Sequence, residues 1–189
     1  MDYYDTASEI EAFLDEVTGP SRDRASRYAI ELKVRAMFED IDSRRWRRVR
    51  RCFNKDARVI KALAHPSQII DRDLDEVIRW FDSLYHNAHG EAVHHAIVPT
   101  LVLVDRGRVT CHLTNFWAEL PAEDILKFEY FTQYHEIIVL DLDENHKITR
   151  FERRAHTQPW TKHTGDIQEF NYFVRMTKRG TVEMEEYFQ

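Results

Sequence analysis

VHHAIVPTLVLVDRGRVTCHLTNFWAE, residues 93–119, is where the apolar period of this chain changes from 3.6 to 2. Two runs rich in β-branched residues flank Asp105-Arg106-Gly107-Arg108. The stretch therefore reads as two antiparallel strands, Val93–Val104 and Val109–Glu119, joined by a hairpin turn. Pro99 has no N–H to give to a ladder, which predicts a bulge or an edge at that point. Side chains alternate along a strand. Val93, His95 and Ile97 share one face of the first strand, and Thr110, His112, Thr114 and Phe116 share one face of the second.

Toward the C-terminus, Pro121–Asp124 reads as a loop, Phe128–Leu142 as a long strand, Asp143–His146 as a turn and Lys147–His156 as a returning strand. These complete a four-stranded antiparallel meander. The remainder is a polar tail with a short helix around residues 166–174. Toward the N-terminus the period is helical. Thr6–Val17 reads as a short helix stopped by Gly19-Pro20, and Ser21 opens a longer one to about Ile41. Its inward positions are read as Ala25, Tyr28, Ala29, Leu32, Ala36, Met37 and Ile41. Ser43 caps a third helix carrying Trp46, Val49 and Phe53, which Asn54-Lys55-Asp56 breaks before a short strand over Ala57–Leu63. A fourth begins at Asp73 and points Leu74, Val77, Ile78, Phe81 and Leu84 inward, and Asn87–Gly90 closes it. Helices followed by a meander are α+β order. The expected architecture is a cone-shaped α+β barrel, a curved antiparallel sheet wrapped around the long helix. Residues 1–20 form a helical extension, 21–160 the barrel domain and 161–189 the tail.

The bulk properties narrow the function. In 189 residues, 43% are hydrophobic and 32% charged, so the chain can bury a core and is not a disordered segment. A net charge of -6 gives no general attraction to nucleic acid or anionic membrane. Cys52 and Cys111 match no zinc or redox spacing and read as reduced, buried thiols, as expected of a cytoplasmic protein. No leader and no apolar run of bilayer length is recognised. Arg44–Arg51, RRWRRVRR, places its arginines on the solvent side of an amphipathic helix, where no nucleic-acid recognition motif accompanies them. His94 and His95 point to opposite faces of a strand, which argues against a shared metal ion.

His95, His112 and Asp42, at the end of the long helix, are the candidate catalytic groups. A neutral imidazole takes a proton near pH 7, and a carboxylate orients it or stabilises its charged form. A lone strand histidine is ordinarily structural, and a helix-end aspartate is ordinarily a loop or capping residue. The trio carries chemistry only if one cavity holds all three.

The element order and these residues together resemble the nuclear transport factor 2/SnoaL-like superfamily, and within it scytalone dehydratase. The segment Phe38–Phe53, FEDIDSRRWRRVRRCF, is similar to that family's helix end, with the aspartate and tryptophan at Asp42 and Trp46. His95 in VHHAIV and His112 in VTCHLTNF match its two catalytic histidines. Ile41 stands where the family has a tyrosine, Lys61 near a second tyrosine and His135 near an asparagine.

The resemblance implies an acid/base dehydratase, without cofactor or metal, acting on a polyketide-like or other hydrophobic carbonyl substrate. His112 removes an acidic C–H proton, His95 or the same imidazolium protonates the leaving hydroxyl, and Asp42 orients a histidine. Lys61, Tyr134 or His135 would hold the carbonyl oxygen, while Phe116 and Tyr28 are placed with the pocket wall. Tyr134 and His135 alternate, so only one of them faces the cavity. A SnoaL-like cyclase or isomerase could use the same residues. The non-catalytic β subunit of a ring-hydroxylating dioxygenase and a binding scaffold are further readings on the same fold. A homo-oligomer, dimer or trimer, is expected by resemblance.

Overall fold

The larger apolar side chains of the long helix decide how it lies. In a computed structural model, which describes residues 21–61, 68–70, 74–87, 89–119, 128–156 and 160–187, helix α1 spans Ser21–Asp42. It buries Ile30, Val34, Met37, Phe38 and Ile41, spaced i, i+4, i+7, i+8 and i+11. Of the expected inward positions, Met37 and Ile41 are buried, whereas Tyr28, Ala29, Leu32 and Ala36 are exposed. Ile30, Val34 and Phe38 remove more apolar area from water than two alanines, a tyrosine and a leucine, so the helix turns that stripe inward; the Ala25 side chain lies outside the described residues.

The chain then reverses through Arg44, whose φ is 52°, into helix α2, Trp46–Cys52. Its N-cap is Arg45 and carries no side-chain cap bond, so Ser43 does not cap it. Asn54-Lys55-Asp56 follow the helix end as expected, but they lie inside strand β1, Phe53–Lys61. There the register shifts between Phe53 and Arg58, and the Asn54 amide donates to Asp143 Oδ2 at 2.8 Å. Strand β2, Gln68–Ile70, pairs with β1, and helix α3, Leu74–Ser83, buries Val77, Ile78, Trp80 and Phe81.

The meander is formed by β3 (Val93–Asp105), β4 (Arg108–Glu119), β5 (Tyr130–Leu142) and β6 (Ile148–His156). The β3–β4 hairpin closes between Asp105 and Arg108, and its register shifts between Pro99 and Leu101, where Pro99 predicted a bulge. Arg35 Nη1 of α1 donates to the Pro99 carbonyl at 2.7 Å, fastening the long helix to that bulge. The sheet is larger than a meander and is not closed into a barrel. Its order is β2-β1-β6-β5-β4-β3, and β1 runs parallel to β6, which makes the sheet mixed. Beyond the point where β6 ends, strand β7, Thr161–Thr164, pairs with the start of β5. Helix α4, Ile167–Tyr187, is 21 residues long rather than a short helix in a polar tail.

Helices cover both faces of the sheet. On the concave face, α1–α3 pack over Ile97, Val102, Leu113, Ile138, Leu140 and Phe151. On the other face, Phe170 of α4 packs with Phe116, Phe128 and Phe131 over Ala96, Val98 and Ala118. The Thr6–Val17 helix and the Pro121–Asp124 loop lie outside the described residues. No helix among the described residues is long and apolar enough to cross a membrane.

Candidate active site

Alternation along β4 and β5 builds the site. Their pairing runs without a shift from Arg108↔Asp141 to Trp117↔Thr132. Leu113 and Asn115 of β4, and Tyr134, Glu136 and Ile138 of β5, therefore share the concave face. With His95 and Ile97 of β3, Arg153 of β6 and the rings of Trp80 and Phe81, they enclose a cavity. Its volume is ≈ 20 Å³, room for about one water molecule, within ≈ 300 Å³ of atom-free space that includes the open mouth.

His95 is the centre of this cavity. Its Nε2 lies 3.3 Å from the Tyr134 hydroxyl, and its ring stands edge-on to Tyr85, centroids 5.4 Å apart. Neither His95 Nδ1 nor the Asn115 amide nitrogen finds a hydrogen-bond partner, although both are buried. Burial, with a smaller contribution from the Arg153 charge, lowers the imidazole pKa to about 3, so His95 is neutral at ordinary pH. Burial, reinforced by Glu136, pushes the Tyr134 phenol well above its usual range. The Arg153 Nε–H donates to Glu136 Oε1, and its guanidinium lies 5.6 Å from the Trp80 ring centroid. Tyr134 is stacked on Trp160, centroids 4.9 Å apart, and Trp160 is exposed, which places that indole on the solvent side of the site.

Asp42 lies behind this cavity. Its Oδ1 accepts from the Ile97 N–H at 2.9 Å and from the Tyr85 hydroxyl at 3.2 Å. The Tyr85 ring links Asp42 to His95; no direct hydrogen bond joins them. Burial raises the Asp42 pKa to about 6, against the lowering effect of the Ile97 N–H, Lys178 and Tyr85.

The expected trio is not assembled. His112 pairs across the hairpin with Leu101 and on the other side with Ile137, on the face away from His95. The bulge is the reason. The turn-proximal register, Leu101↔His112, continued without a break would place His95 and His112 on one face. The extra residue between Pro99 and Leu101 reverses the alternation of β3, so His95 pairs with Trp117 and shares a face with Asn115 instead. His94 correspondingly faces Phe128 and Phe170, at 5.8 and 5.9 Å between centroids.

Of the expected pocket residues, Tyr134 lines the cavity. His135 lies on the opposite face, its Nδ1 3.1 Å from Thr114 Oγ1. Phe116 is buried in the second core beneath α4, and Tyr28 is exposed on α1; neither lines the cavity. The Lys61 side chain lies outside the described residues, although its backbone pairs with Arg153. Asn115, Glu136, Arg153 and Tyr85 were not read as site residues. The signal for Glu136 was a charge at an inward position of an apolar strand, two residues from Tyr134. Among the described residues, no cluster of three or more His, Cys, Asp or Glu could hold a metal ion.

An open, curved mixed sheet wrapped around a long helix is the nuclear transport factor 2-like α+β cone. No protein-family model matches the chain, and no curated protein matches it. Solved structures do match. A candidate polyketide cyclase from Xanthomonas campestris pv. campestris is 12% identical, with a TM-score of 0.53 over 68% of this chain and 91% of that one. The epoxide hydrolase/cyclase-like enzyme SalBIII, described in pyran ring formation in the polyether salinomycin, is 12% identical, with a TM-score of 0.52 over 76% and 98%. A computationally designed 17-OHP binder is 9% identical, with a TM-score of 0.51 over 70% and 96%. At these identities the likeness is one of fold.

Proposed function

We propose that this chain is an acid/base enzyme that uses its own side chains to move protons on a small carbonyl compound, as a lyase or isomerase. The observation that carries the reading is a half-buried imidazole bonded to a phenol at one nitrogen, its other nitrogen buried and unpartnered, within a cavity that opens to solvent. Buried polar atoms without partners are few in native proteins and call for an explanation, a catalytic role or a bound water among them; two of the three among the described residues, His95 Nδ1 and Asn115 Nδ2, belong to residues that line this cavity. The phenol, held protonated, is a donor for the oxygen of a polarised carbonyl, and Arg153 and Asn115 add positive potential nearby. The open imidazole nitrogen accepts a proton. Two of the structures that share the fold are named as a cyclase and an epoxide hydrolase/cyclase-like enzyme, which supports the reading in kind only. With His112 on the other face, a dehydratase working through two imidazoles loses its second one. Dehydration remains open to His95 and Tyr134.

The test is proton NMR in D₂O with cyclohexanone, 4-hydroxybutan-2-one and cyclohex-2-enone, following α-proton exchange and gain or loss of water. The full chain is expected to accelerate at least one of these above buffer. His95→Ala and Tyr134→Phe should lose about 10²-fold or more, while His112→Ala keeps the wild-type rate. Rates equal to buffer for all three compounds would overturn the proposal. A second reading, a binding module, draws on the small cavity and would be favoured if a ketone perturbed His95 and Asn115 resonances without turnover.

A further inference from the structure

The long helix carries two apolar stripes, and the cone uses one of them. Ile30, Val34, Met37, Phe38 and Ile41 enter the core, whereas Tyr28, Ala29, Leu32 and Ala36, spaced i, i+1, i+4 and i+8, form a second stripe on the outer side of α1. Tyr28 is 51% exposed and Leu32 48%. Single exposed apolar residues are ordinary, but a contiguous strip marks a contact surface. This strip leads toward a strongly basic one. Helix α2 and its approach carry Arg44, Arg45, Arg47, Arg48, Arg50 and Arg51, with Trp46 and Val49 turned inward. Asp40 pairs with Arg45 at 3.3 Å and with Arg48 at 3.6 Å, and Asp75 pairs with Arg50. Arg44 lies over the Tyr85 ring, 4.7 Å from its centroid, and no ion pair joins Arg47 or Arg51 to a described residue. Asp40 follows Ala36 by one turn, so the arginines bound to it stand at the end of the apolar strip.

Residues 1–20 have the composition that complements both surfaces. They carry Asp2, Asp5, Glu9, Glu11, Asp15 and Glu16, and no Lys or Arg. Ala7, Ile10, Leu14 and Val17 recur at i, i+3, i+7 and i+10 with Phe13 beside them, a helical stripe that the acids lie outside. We infer that residues 1–20 turn back at Gly19-Pro20 and lie along the outer side of α1, setting Ile10, Leu14 and Val17 against Tyr28, Ala29 and Leu32 and pairing the acidic N-terminus with the arginines of α2. The occupant of both surfaces is thus a segment of the same chain.

The chain is long enough for this path. A helix over Thr6–Val17 measures about 18 Å and, running antiparallel from the turn, covers α1 from Ser21 to Leu32. Asp42 lies about 15 Å beyond Leu32 along α1. The residues before Thr6 span up to about 17 Å when extended, which brings Asp2 within side-chain reach of the arginines. Ala29 and Ala36 leave room for the larger Ile10 and Leu14, so two helices can approach closely there. Exposed ion pairs contribute little one at a time, so the apolar strip supplies most of the attraction and the charges set its direction. Tethering holds the segment at an effective concentration on the order of millimolar, ahead of any free acidic peptide or nucleic acid.

The experiment follows amide hydrogen exchange in the full chain. Amides of residues 6–17 should exchange about 10-fold or more slowly than in an unstructured peptide. Leu32→Asp, on the surface of the fold and distant from that segment in sequence, should remove most of the protection. Arg47→Glu together with Arg51→Glu should lower it about 3-fold or more. Leu103→Asp, at an exposed position of β3, should leave it unchanged. A contact within one chain also keeps its protection on dilution by about 100-fold. Exchange of residues 6–17 at the unstructured rate overturns the inference. So does protection that Leu32→Asp or the paired arginine reversals leave intact. Protection lost on dilution overturns it as well, because a second copy then supplies the covering segment. Amides of β4 in the same spectra report whether each variant is folded. If Leu32→Asp unfolds, Tyr28→Asp makes the same test one turn away, and the wild-type and dilution readings need no variant.

Discussion

Two half-buried ionisable side chains, Asp42 and His95, oppose each other in the dependence of stability on pH. The folded chain holds the Asp42 proton to about pH 6, against an ordinary value of 3.8, so it binds protons that the unfolded chain has released. Stability falls as pH rises through that window, and the cost is fully present above it, about 3 kcal/mol at most. Asp42→Asn keeps a carbonyl acceptor for the Ile97 N–H. Urea unfolding at pH 8 should show the variant more stable than wild type by up to that amount, with the difference shrinking by pH 4. A variant less stable at pH 8 would show that the carboxylate is held by more than these bonds. His95 acts in the other sense. Its folded value of about 3 lies below the ordinary 6.5, so the stability it contributes is complete above pH 6.5 and is lost as pH falls toward 3.

At the scale of elements, the hairpin shows what a single sequence can and cannot disclose. Both strands, their turn and the position of the bulge were legible, because Pro99 and Asp105–Arg108 each act locally. Which histidine shares the cavity with Asn115 was not legible. That depends on how many residues the bulge inserts, and one residue reverses every side chain beyond it. The same limit applied to α1, where period alone left two possible stripes and the bulkier one prevailed. The long α4 was also missed. Its apolar positions, Ile167, Phe170, Phe173 and Val174, make sense only against the second apolar face of the sheet that they cover. Phe170 is buried among Phe116, Phe128 and Phe131, at ring distances of 6.1, 6.0 and 5.5 Å. Phe170→Ala should cost about 3–5 kcal/mol in urea unfolding. A loss below about 1 kcal/mol would mean that α4 contributes little to this core.

Across the whole molecule, helix-then-meander order pointed to the α+β cone, and the cone places a cavity between the long helix and the concave face. The parallel β1–β6 pair was hidden, because no local pattern announces a partner so far along the chain. Phe53 pairs with Ile148, and Lys61 with Arg153, so about ninety residues separate each pair. Chains dominated by such distant pairings fold slowly, since the entropy of closing the loop is lost before any contact compensates for it. The β3–β4 hairpin, by contrast, closes over two residues. The expected sequence of events has the hairpin organised in the folding transition state and β1 docking late. Conservative truncations such as Val109→Ala should then slow refolding, whereas Val59→Ala should chiefly speed unfolding. The reverse pattern in stopped-flow refolding would place the nucleus at the parallel seam. On this order, β6, which brings Phe151 and Arg153 to the cavity, gains its second neighbouring strand only in the last stage of folding.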